Sequence, residues 1–449
     1  MPEVVSTIEQ ASHYHVNLNE LMEKVGDRLA ALLEVDWGIV TAGAASSLMF
    51  ATAGCLAGTD PEKIQRLPNL AGLKNEVIMP RESRNVYDHA IRDLNIKIIE
   101  VNTPDEVRNA ISSNTALVAI LGQYFGSAKL DLKEVAPIAR QAGVPILVDA
   151  AADYLIVPNP YIAQGADLVA YSGGKVIRGP QTAGLLIGRR DLIRAAWANS
   201  APHHGFGRPA KVSKEEVVGM LRAVEVWRQE RDIQADMRLW ETWYAEMMPQ
   251  ITKVRGVQAK VQGPIRGGPF PTLQVSWDPN QIGMNAGQVG RALLDGRPRI
   301  MTHAEGEGHS FLIRPVAMKP GEHQIVAQRL FEVFSAAPKP DASRPPAPAV
   351  VDISGKWEVE MQYEVGSSRH RLTLEADGNS VSGVHEGWAY RGNLKGSIDG
   401  ANVKFRSSHP ADGNVLTYSF TGSITGDTMS GEVDLGEYGT GEWRAGKVT

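Results

Sequence analysis

The chain has almost no cysteine and no long hydrophobic run, and each shortage excludes a class of protein. Cys55 is the only cysteine among 449 residues, which excludes an internal disulfide and a cysteine-based metal site. No segment approaches the roughly 20 consecutive apolar residues that a membrane helix needs. The amino terminus has neither a basic leader nor an apolar core of signal-peptide length. We therefore expect a cytoplasmic protein with no membrane partner.

The chain also lacks an excess of positive charge. Its net charge is −5, and nucleic-acid-binding proteins normally carry a clustered surplus of Lys and Arg. We therefore expect no nucleic-acid partner. The length of 449 residues and the 43% hydrophobic content are enough for a large core and predict two or three domains.

Most of the chain alternates helical patterns with short apolar runs, which is typical of an α/β fold with helices on both faces of a mixed or parallel sheet. Predicted strands lie at 37–41, 76–79, 96–100, 116–121, 146–149, 168–172 and 183–187. Predicted helices include 18–33, 215–248 and 322–334. We predict a large cofactor-binding domain over 1–250, a small α+β lobe over 251–335, a proline-rich linker over 336–349 and an all-β domain over 350–449.

The last hundred residues have a different pattern, in which short alternating segments are separated by turns rich in Gly, Asn and Asp. About eight strands in this length predict a small antiparallel barrel or sandwich. The segment Gly355-Lys356-Trp357 resembles the opening of calycin-type barrels such as avidin and lipocalins, and we expect Trp357 to plug the barrel floor. Three histidines, His370, His385 and His409, match no metal-binding spacing and are predicted to lie at the surface.

Two residues in the large domain indicate the chemistry. Asp149 closes an apolar run, so its carboxylate is expected at the carboxyl end of a parallel sheet, where ligands bind. Lys175 follows Ser172-Gly173-Gly174 after the next apolar run. A carboxylate in this position can keep a pyridine nitrogen protonated, and an amine can form a Schiff base with an aldehyde. The pair therefore predicts an enzyme that uses pyridoxal 5'-phosphate.

A phosphate site is predicted at the start of an earlier helix. The segment 41–47 follows a predicted strand and consists of small and hydroxyl residues. Because free backbone amides at a helix start attract anions, this segment suits the cofactor phosphate. Ser46 supplies a hydroxyl there, and Ser172 is expected to reach the same phosphate.

The stretch from Asp149 to Gly188 carries a specific resemblance. It is similar to fold type I pyridoxal phosphate enzymes of the selenocysteine synthase-like branch, and especially to the D-glucosaminate 6-phosphate ammonia-lyases. Segments 42–46, 84–91 and 207–216 add further matches. The resemblance covers about residues 10–335 and leaves the all-β domain unexplained.

The resemblance implies a role for individual residues. Lys175 is the implied Schiff-base lysine and general base, and Asp149 is the implied partner of the pyridine nitrogen. The cofactor phosphate is implied to lie among Ala44, Ala45, Ser46 and Ser172. Gln181 and Thr182 are implied to meet the phosphate of a neighbouring subunit, since fold type I sites lie at a dimer interface. A homodimer or higher homo-oligomer is therefore expected.

The resemblance also suggests how a substrate is held. Arg314 stands where relatives grip the substrate carboxylate with a planar guanidinium. His203, His204, Arg208 and Lys211 form a cationic cluster suited to an anionic group such as a sugar phosphate. The implied reaction is elimination and deamination of a hydroxylated amino acid or an amino sugar acid.

Three alternatives stay open. Return of a proton at the α-carbon would make the protein a racemase or epimerase, and transfer of selenium to seryl-tRNA is a second reaction, which the acidic charge disfavours. A third alternative is a catalytically silent oligomeric scaffold with a ligand-binding barrel. It is motivated by Ser83, which replaces a histidine of the relatives, and by a chain that begins later than theirs. In an active enzyme with Ser83 in this position, stacking on the cofactor ring would fall to Tyr87 or His89.

Overall fold

The computed structural model describes residues 1–122, 129–263, 269–304, 306–339 and 346–448. Two compact units make it up, a larger one that contains nearly all of residues 1–340 and a smaller one that contains residues 341–449. Residues 340–345 of the predicted linker lie outside the described residues.

Helices occur throughout the larger unit. They are α1 (Pro2–Ser12), α2 (Leu18–Leu33), α3 (Gly43–Ala57), α4 (Pro61–Arg66), α5 (His89–Arg92), α6 (Pro104–Ala110), α7 (Leu132–Gln141), α8 (Pro160–Ala163), α9 (Arg190–Ala198), α10 (Lys214–Gln229), α11 (Ile233–Ile251), α12 (Ala286–Asp295) and α13 (Glu322–Ser335). None of the helices in the described ranges is long and apolar enough to cross a membrane.

The large sheet is mixed, as predicted. Its strands are β1 (Trp37–Thr41), β2 (Glu76–Pro80), β3 (Lys97–Val101), β4 (Thr115–Leu121), β5 (Ile146–Asp149), β6 (Leu168–Ser172) and β7 (Gly184–Gly188). In the described part of the chain they form one seven-stranded sheet in the order β1-β7-β6-β5-β4-β2-β3. All strands are parallel except β7, which runs antiparallel to both β1 and β6. The central strands are buried along their whole length, which explains their unbroken apolar sequences.

The helical stretch predicted over 215–248 is two helices rather than one. Helix α10 begins with a capping box between Ser213 and Glu216. It ends at Gln229, and Asp232 caps α11 by accepting a hydrogen bond from the backbone N–H of Ala235. Since an aspartate in an extended conformation starts a helix rather than continuing one, Asp232 divides the stretch.

Helix α11 contributes to two hydrophobic cores. Trp240 and Trp243 pack with the core of the large sheet, whereas Tyr244 and Met247 belong to a second core. The second core also contains α12, α13 and a small antiparallel sheet of β8 (Val257–Gln262), β9 (Thr272–Trp277) and β10 (Ser310–Ile313).

The smaller unit is a barrel, which confirms one of the two predicted architectures. Its strands are β11 (Gly355–Gln362), β12 (Ser367–Asp377), β13 (Ser380–Glu386), β14 (Arg391–Asp399), β15 (Asn402–Ala411), β16 (Asn414–Thr425), β17 (Thr428–Asp434) and β18 (Thr440–Lys447). Within residues 346–448 these eight strands close on themselves, each antiparallel to the next. Glycines with positive φ occupy the hairpin turns, including Gly378 (58°), Gly400 (60°) and Gly426 (58°).

Apolar residues are buried where the barrel begins. Trp357 is fully buried, and its indole Nε1 donates a hydrogen bond to the Ile353 carbonyl at 2.8 Å. The chain just before the barrel is attached to it, because the Ala347 N–H donates to Asp399 at 2.7 Å.

The predicted surface position of the three barrel histidines is wrong. His385 and His409 are 0% and 1% exposed, and His370 is 8% exposed. His370 Nδ1 lies 2.7 Å from His385 Nε2, and His385 Nδ1 lies 2.7 Å from the Ser407 hydroxyl. Burial lowers the pKa of His370 to about 4 and that of His385 to about 2. The histidines face inward because they share the side of their strands that the apolar residues occupy.

Candidate active site

Four strands bring the predicted site residues to one edge of the large sheet. Strands β1, β4, β5 and β6 all run toward this edge and end at Thr41, Leu121, Asp149 and Ser172. Asp149 is paired with Ala170 of β6, two positions before Ser172. Gly184 at the start of β7 is paired with both Ser172 and Thr41. Because adjacent strands lie about 4.8 Å apart, these residues lie close together at the carboxyl edge of the sheet, where ligands bind in open α/β sheets.

Asp149 is a buried carboxylate with a single hydrogen-bond donor among the described residues. It is 9% exposed, and Oδ1 accepts a hydrogen bond from the Ala151 N–H at 3.1 Å. No other hydrogen bond to this carboxylate occurs among the residues that the structure describes. Burial raises the pKa of Asp149, and the Ala151 hydrogen bond and the charge of Lys175 oppose the rise. A buried carboxylate in this state is stabilised by a positively charged N–H donor.

Lys175 lies on a tight turn between β6 and β7. The Gly173 N–H donates to the Ala183 carbonyl at 2.8 Å, and the Gly179 N–H donates to the Gly173 carbonyl at 2.8 Å. A Cβ at Gly173 would lie 2.8 Å from the Ala183 oxygen, and one at Gly174 would lie 2.7 Å from the Cα of Gln181. Only glycine fits such close backbone approaches, so the two glycines are what allow the turn to fold beneath the lysine.

The charges around Lys175 come from the predicted site. Desolvation lowers the pKa of Lys175, the Asp149 carboxylate raises it, and the Arg314 guanidinium lowers it. The Nζ atom lies 5.6 Å from the centre of the Tyr87 ring. Lys175 is nevertheless exposed, so its amine is accessible to a ligand. The structure thus brings Lys175, Asp149 and Arg314 within electrostatic reach of one another.

Two arginines that the sequence reasoning missed hold the lysine turn in place. Arg178, which has φ of 60°, donates from Nη2 to the Val316 carbonyl at 3.0 Å. Arg231 donates from Nη1 to the Val176 carbonyl at 2.6 Å. Arg178 therefore ties the turn to the segment that carries Arg314. A positive φ cannot be recognised from a sequence. The position of Arg178, three residues after Lys175, can be, and it could have marked this arginine as part of the site.

A second aspartate also acts on the lysine. The Asp153 carboxylate raises the pKa of Lys175, and it accepts a hydrogen bond from the Tyr161 hydroxyl at 2.5 Å. Asp153 lies four residues after Asp149 in the sequence. The turn that follows β5 brings its carboxylate back toward Lys175.

The start of α3 lies beside the lysine turn. A Cβ at Gly184 would lie 2.3 Å from the carbonyl carbon of Gly43 and 2.7 Å from the Ala44 nitrogen. No side chain among the described residues caps this helix, and Ala45 is exposed. The first-turn amides of Ala44 and Ala45 are therefore available to an anion. The Ser46 hydroxyl donates to the Ala42 carbonyl at 2.7 Å and would have to rotate to reach a phosphate.

The remaining predicted cofactor residues lie at the same edge. Ser172 is half-buried at the end of β6, and Gln181 and Thr182 are exposed on the turn that leads into β7. The Thr182 hydroxyl contacts the Glu216 carboxylate.

Ser83 and the two candidate stacking residues have different surroundings. Ser83 is 1% exposed, and its hydroxyl accepts a hydrogen bond from the Leu121 N–H at 3.1 Å. It therefore lies beside the strand end next to Asp149. Tyr87 approaches Lys175, whereas the His89 ring lies 3.2 Å from the carboxylate of Asp93, the residue that follows α5.

The cationic cluster is not joined to Lys175 by any contact in the described part of the chain. His203 Nδ1 lies 3.0 Å from the Trp197 carbonyl oxygen, and the His204 carbonyl accepts a hydrogen bond from Gln65 at 2.6 Å. Arg208 is half-buried and Lys211 is exposed. This loop packs on α3, α4 and the end of α9.

The residues at the sheet edge fit pyridoxal phosphate. Asp149 offers a buried carboxylate to a protonated ring nitrogen, Lys175 offers an accessible amine to the aldehyde, and the uncapped start of α3 offers amides to the phosphate.

Comparison with known proteins gives consistent matches over the larger unit. Residues 3–215 match the family described as Aminotransferase class-V. A 5'-C-glycyluridine monooxygenase-decarboxylase from a Streptomyces species is 28% identical over 346 residues, which are 74% of this chain and 85% of the relative. The D-glucosaminate-6-phosphate ammonia lyase of Salmonella typhimurium is 26% identical over 349 residues, 75% of this chain and 91% of the relative. A solved structure of D-glucosaminate-6-phosphate ammonia-lyase matches with a TM-score of 0.64 at 26% identity, and the match covers 75% of this chain and 92% of that one.

Proposed function

Because residues 3–215 have the class-V aminotransferase fold of pyridoxal phosphate enzymes, we propose that this protein is an ammonia-lyase acting on a hydroxylated amino acid or an amino sugar acid. The observation that supports the proposal most is the electrostatic coupling of buried Asp149 to accessible Lys175 at adjacent parallel strand ends. Similarity to a D-glucosaminate-6-phosphate ammonia lyase over 91% of its length favours this substrate class.

The two residues have different tasks. When bound, pyridoxal phosphate withdraws electrons from the α-carbon of an attached amino acid. Asp149, whose carboxylate is shielded from water, would accept a hydrogen bond from the ring nitrogen and so favour its protonated form. Desolvation lowers the pKa of Lys175, so that more of its amine is neutral and can take a proton from the substrate α-carbon. The net change in the substrate is loss of ammonia, which leaves a 2-oxo acid.

Arg314 is proposed to bind the substrate carboxylate. Its charge acts on Lys175, and its segment is fastened to the lysine turn through the Arg178 hydrogen bond to Val316. A guanidinium binds a carboxylate through two parallel hydrogen bonds, which fixes the orientation of the α-carbon. The cluster of His203, His204, Arg208 and Lys211 is proposed to hold a more distant anionic group of the substrate.

A homodimer completes the proposed site. Gln181 and Thr182 are exposed on the turn that follows Lys175, where a neighbouring subunit can approach. We assign these two residues to the phosphate bound by that subunit. Size-exclusion chromatography with light scattering measures the expected dimer or higher oligomer.

The proposal is tested with purified protein and added pyridoxal phosphate. A visible absorbance band is expected, and borohydride should attach the cofactor to the peptide that contains Lys175. Lys175→Ala should lose both signals, whereas Lys211→Ala should keep the band. Incubation with D- and L-hydroxyamino acids and amino sugar acids should release ammonia and a 2-oxo acid in equal amounts. Cofactor binding without product from any of these compounds would contradict the lyase assignment but not the cofactor site.

A second candidate reaction is oxidative decarboxylation. It is favoured by the 28% identity to a monooxygenase-decarboxylase over 85% of that relative. The two reactions differ in the gases that they consume and release. Decarboxylation by a monooxygenase consumes oxygen and releases carbon dioxide, whereas elimination does neither. An oxygen electrode and carbon dioxide trapping in the same incubations separate them. Exchange of the α-proton in heavy water without net product would instead indicate racemisation.

A further inference from the structure

The outer face of two barrel strands carries a row of unpaired cations. Arg391 and Lys395 on β14, and Lys404 and Arg406 on β15, are all exposed and alternate with buried residues. Among the residues that the structure describes, none of the four forms an ion pair or a side-chain hydrogen bond. We call this set the β14–β15 cation row.

The arrangement differs from that on two other strands of the barrel. On β11 and β12, Arg371 lies opposite Glu358 and Arg369 lies opposite Glu360. In the cation row, Lys395 lies directly opposite Arg406. Like charges in directly opposed positions destabilise a sheet by roughly 0.2–1 kcal/mol. The Lys395–Arg406 pair therefore opposes folding, whereas the opposite charges on β11 and β12 favour it, which indicates a role other than stability.

The strands on either side place hydroxyl groups opposite three of the four cations, whereas Arg391 lies opposite Glu386 of β13 and forms no ion pair with it within the described residues. Ser382 of β13 lies opposite Lys395, and Ser419 of β16 lies opposite Arg406. Lys404 precedes Arg406 by two residues on β15 and lies between Ser397 of β14 and Thr421 of β16. The surface between the charges is therefore lined with neutral groups that donate and accept hydrogen bonds.

A shallow depression of about 740 Å³ lies on this face. Its lining includes Arg391, Asn393, Lys395, Arg406 and Ser408. Three cations, one amide and one hydroxyl thus border a space large enough for a small ligand.

An exposed tryptophan lies at one end of the row. Trp388 is 93% exposed on the turn between β13 and β14, three residues before Arg391. The turn is closed by a hydrogen bond of 2.8 Å from the Gly387 N–H to the Tyr390 carbonyl, so the indole is carried on an ordered hairpin. An indole this exposed contributes nothing to the barrel core and presents a flat apolar face to a ligand.

We propose that the β14–β15 cation row and Trp388 bind an anionic oligosaccharide. The cations pair with carboxylate or phosphate groups, the serines and Asn393 bond to sugar hydroxyls, and the indole packs against a sugar ring. From Arg391 to the level of Lys404 the row spans about 20 Å, at about 3.4 Å per residue, which suits an extended chain of several sugars.

Single-stranded nucleic acid is disfavoured as the ligand, because proteins that bind it stack successive bases on several aromatic side chains. The proposal does not depend on the reaction of the larger unit.

Calorimetry on the full-length protein tests this surface. The probes are an oligogalacturonate as the carboxylated saccharide, a phosphorylated oligomannoside, neutral maltohexaose, oligo(dT) and phosphatidylserine vesicles. Binding of at least one anionic saccharide, weakened by added salt, is expected, with maltohexaose at least tenfold weaker. The stronger of the two anionic saccharides identifies the charged group.

Two sets of variants localise the binding. Lys395→Gln combined with Arg406→Gln should weaken it at least about tenfold, and Trp388→Ala should weaken it without changing its salt dependence. The control, Lys356→Gln combined with Arg444→Gln, removes the same charge from other strands and should change affinity less than twofold. Because the first double variant removes a like-charge pair, it should unfold no more easily than the natural chain, which separates lost binding from lost structure.

Three results would overturn the proposal. One is equal loss of binding in both double variants. The second is tighter binding of oligo(dT) or the vesicles than of either anionic saccharide. The third is no binding of either saccharide at low salt.

Discussion

The Nζ atom of Lys175 lies 5.6 Å from the centre of the Tyr87 ring. The electron-rich face of the ring stabilises the charged ammonium by about 0.5–1 kcal/mol at an exposed site. Tyr87→Leu should therefore lower the pKa of Lys175 further, and Tyr87→Phe should leave it nearly unchanged. The rate at which cofactor-free protein reacts with pyridoxal phosphate, followed against pH, reports the neutral amine. Equal shifts in both variants would show that the hydroxyl, and not the ring face, acts on the lysine.

Asp149→Asn should stabilise the cofactor-free protein and abolish tight cofactor binding. Burial raises the pKa of Asp149, so the folded state disfavours the charged carboxylate. The resulting penalty is absent at pH values below the carboxyl's ordinary pKa and grows as the pH rises through the raised value. At neutral pH the variant should gain about 1–3 kcal/mol in denaturant unfolding, the range for a poorly paired buried polar group. A variant that is less stable than the natural protein at pH 7 would contradict this account.

Gly184→Ala should weaken pyridoxal phosphate binding by displacing the start of α3. The added Cβ would lie 2.3 Å from the Gly43 carbonyl carbon, so backbone must move. Overpacking of this kind costs about 1–3 kcal/mol, and here it acts on the amides assigned to the phosphate. Fluorescence titration with the cofactor measures the change. Gly308→Ala is the matched control, because no atom of the residues that the structure describes lies within 4 Å of its added Cβ.

The barrel should lose stability as the pH falls below about 6.5. Burial lowers the pKa of His370 to about 4 and of His385 to about 2, and it also lowers the pKa of His409. Between their ordinary and folded pKa values these histidines bind protons only in the unfolded chain, so the free energy of unfolding decreases with falling pH. Each contributes up to about 1.4 kcal/mol per pH unit in that window.

Hydrogen exchange of barrel amides, measured by mass spectrometry between pH 7 and 4 with correction for intrinsic exchange, checks this dependence. His385→Phe should reduce the slope by up to one proton, and replacement of the exposed His13 by Gln should leave it unchanged. A slope that is unaffected by His385→Phe would assign the acid sensitivity to other groups.

Local patterns were sufficient to predict most strands of the large sheet. The strands predicted at 37–41, 146–149 and 168–172 have the observed bounds, because buried parallel strands need short unbroken apolar runs. The helix over 18–33 also agrees, since apolar spacing and the Asn17 cap mark its face and its start. The break between α10 and α11 was missed because both helices continue the same apolar spacing and Asp232 is only one polar residue among many.

Pyridoxal phosphate and the fold type I architecture are confirmed by the family and structural matches.

The barrel histidines show where reading the sequence by spacing alone fails. His370 lies two and four residues before Leu372 and Leu374, so its side chain lies on the same inward face of β12 as theirs. The alternation of the strand, rather than the spacing of metal ligands, therefore indicated that this histidine is buried. The polar character of the side chain favoured the wrong, exposed position.

The sequence by itself predicted the cofactor, because Asp149, Lys175 and the small residues from Ala42 to Ser46 are residue types that few other cofactors require together. Only the tertiary structure decided that their strand ends meet, since the antiparallel insertion of β7 between β1 and β6 depends on contacts between distant segments. Arg178 and the β14–β15 cation row likewise depend on register and turn geometry. Those relationships are set by packing across the whole chain, and no local window of residues contains them.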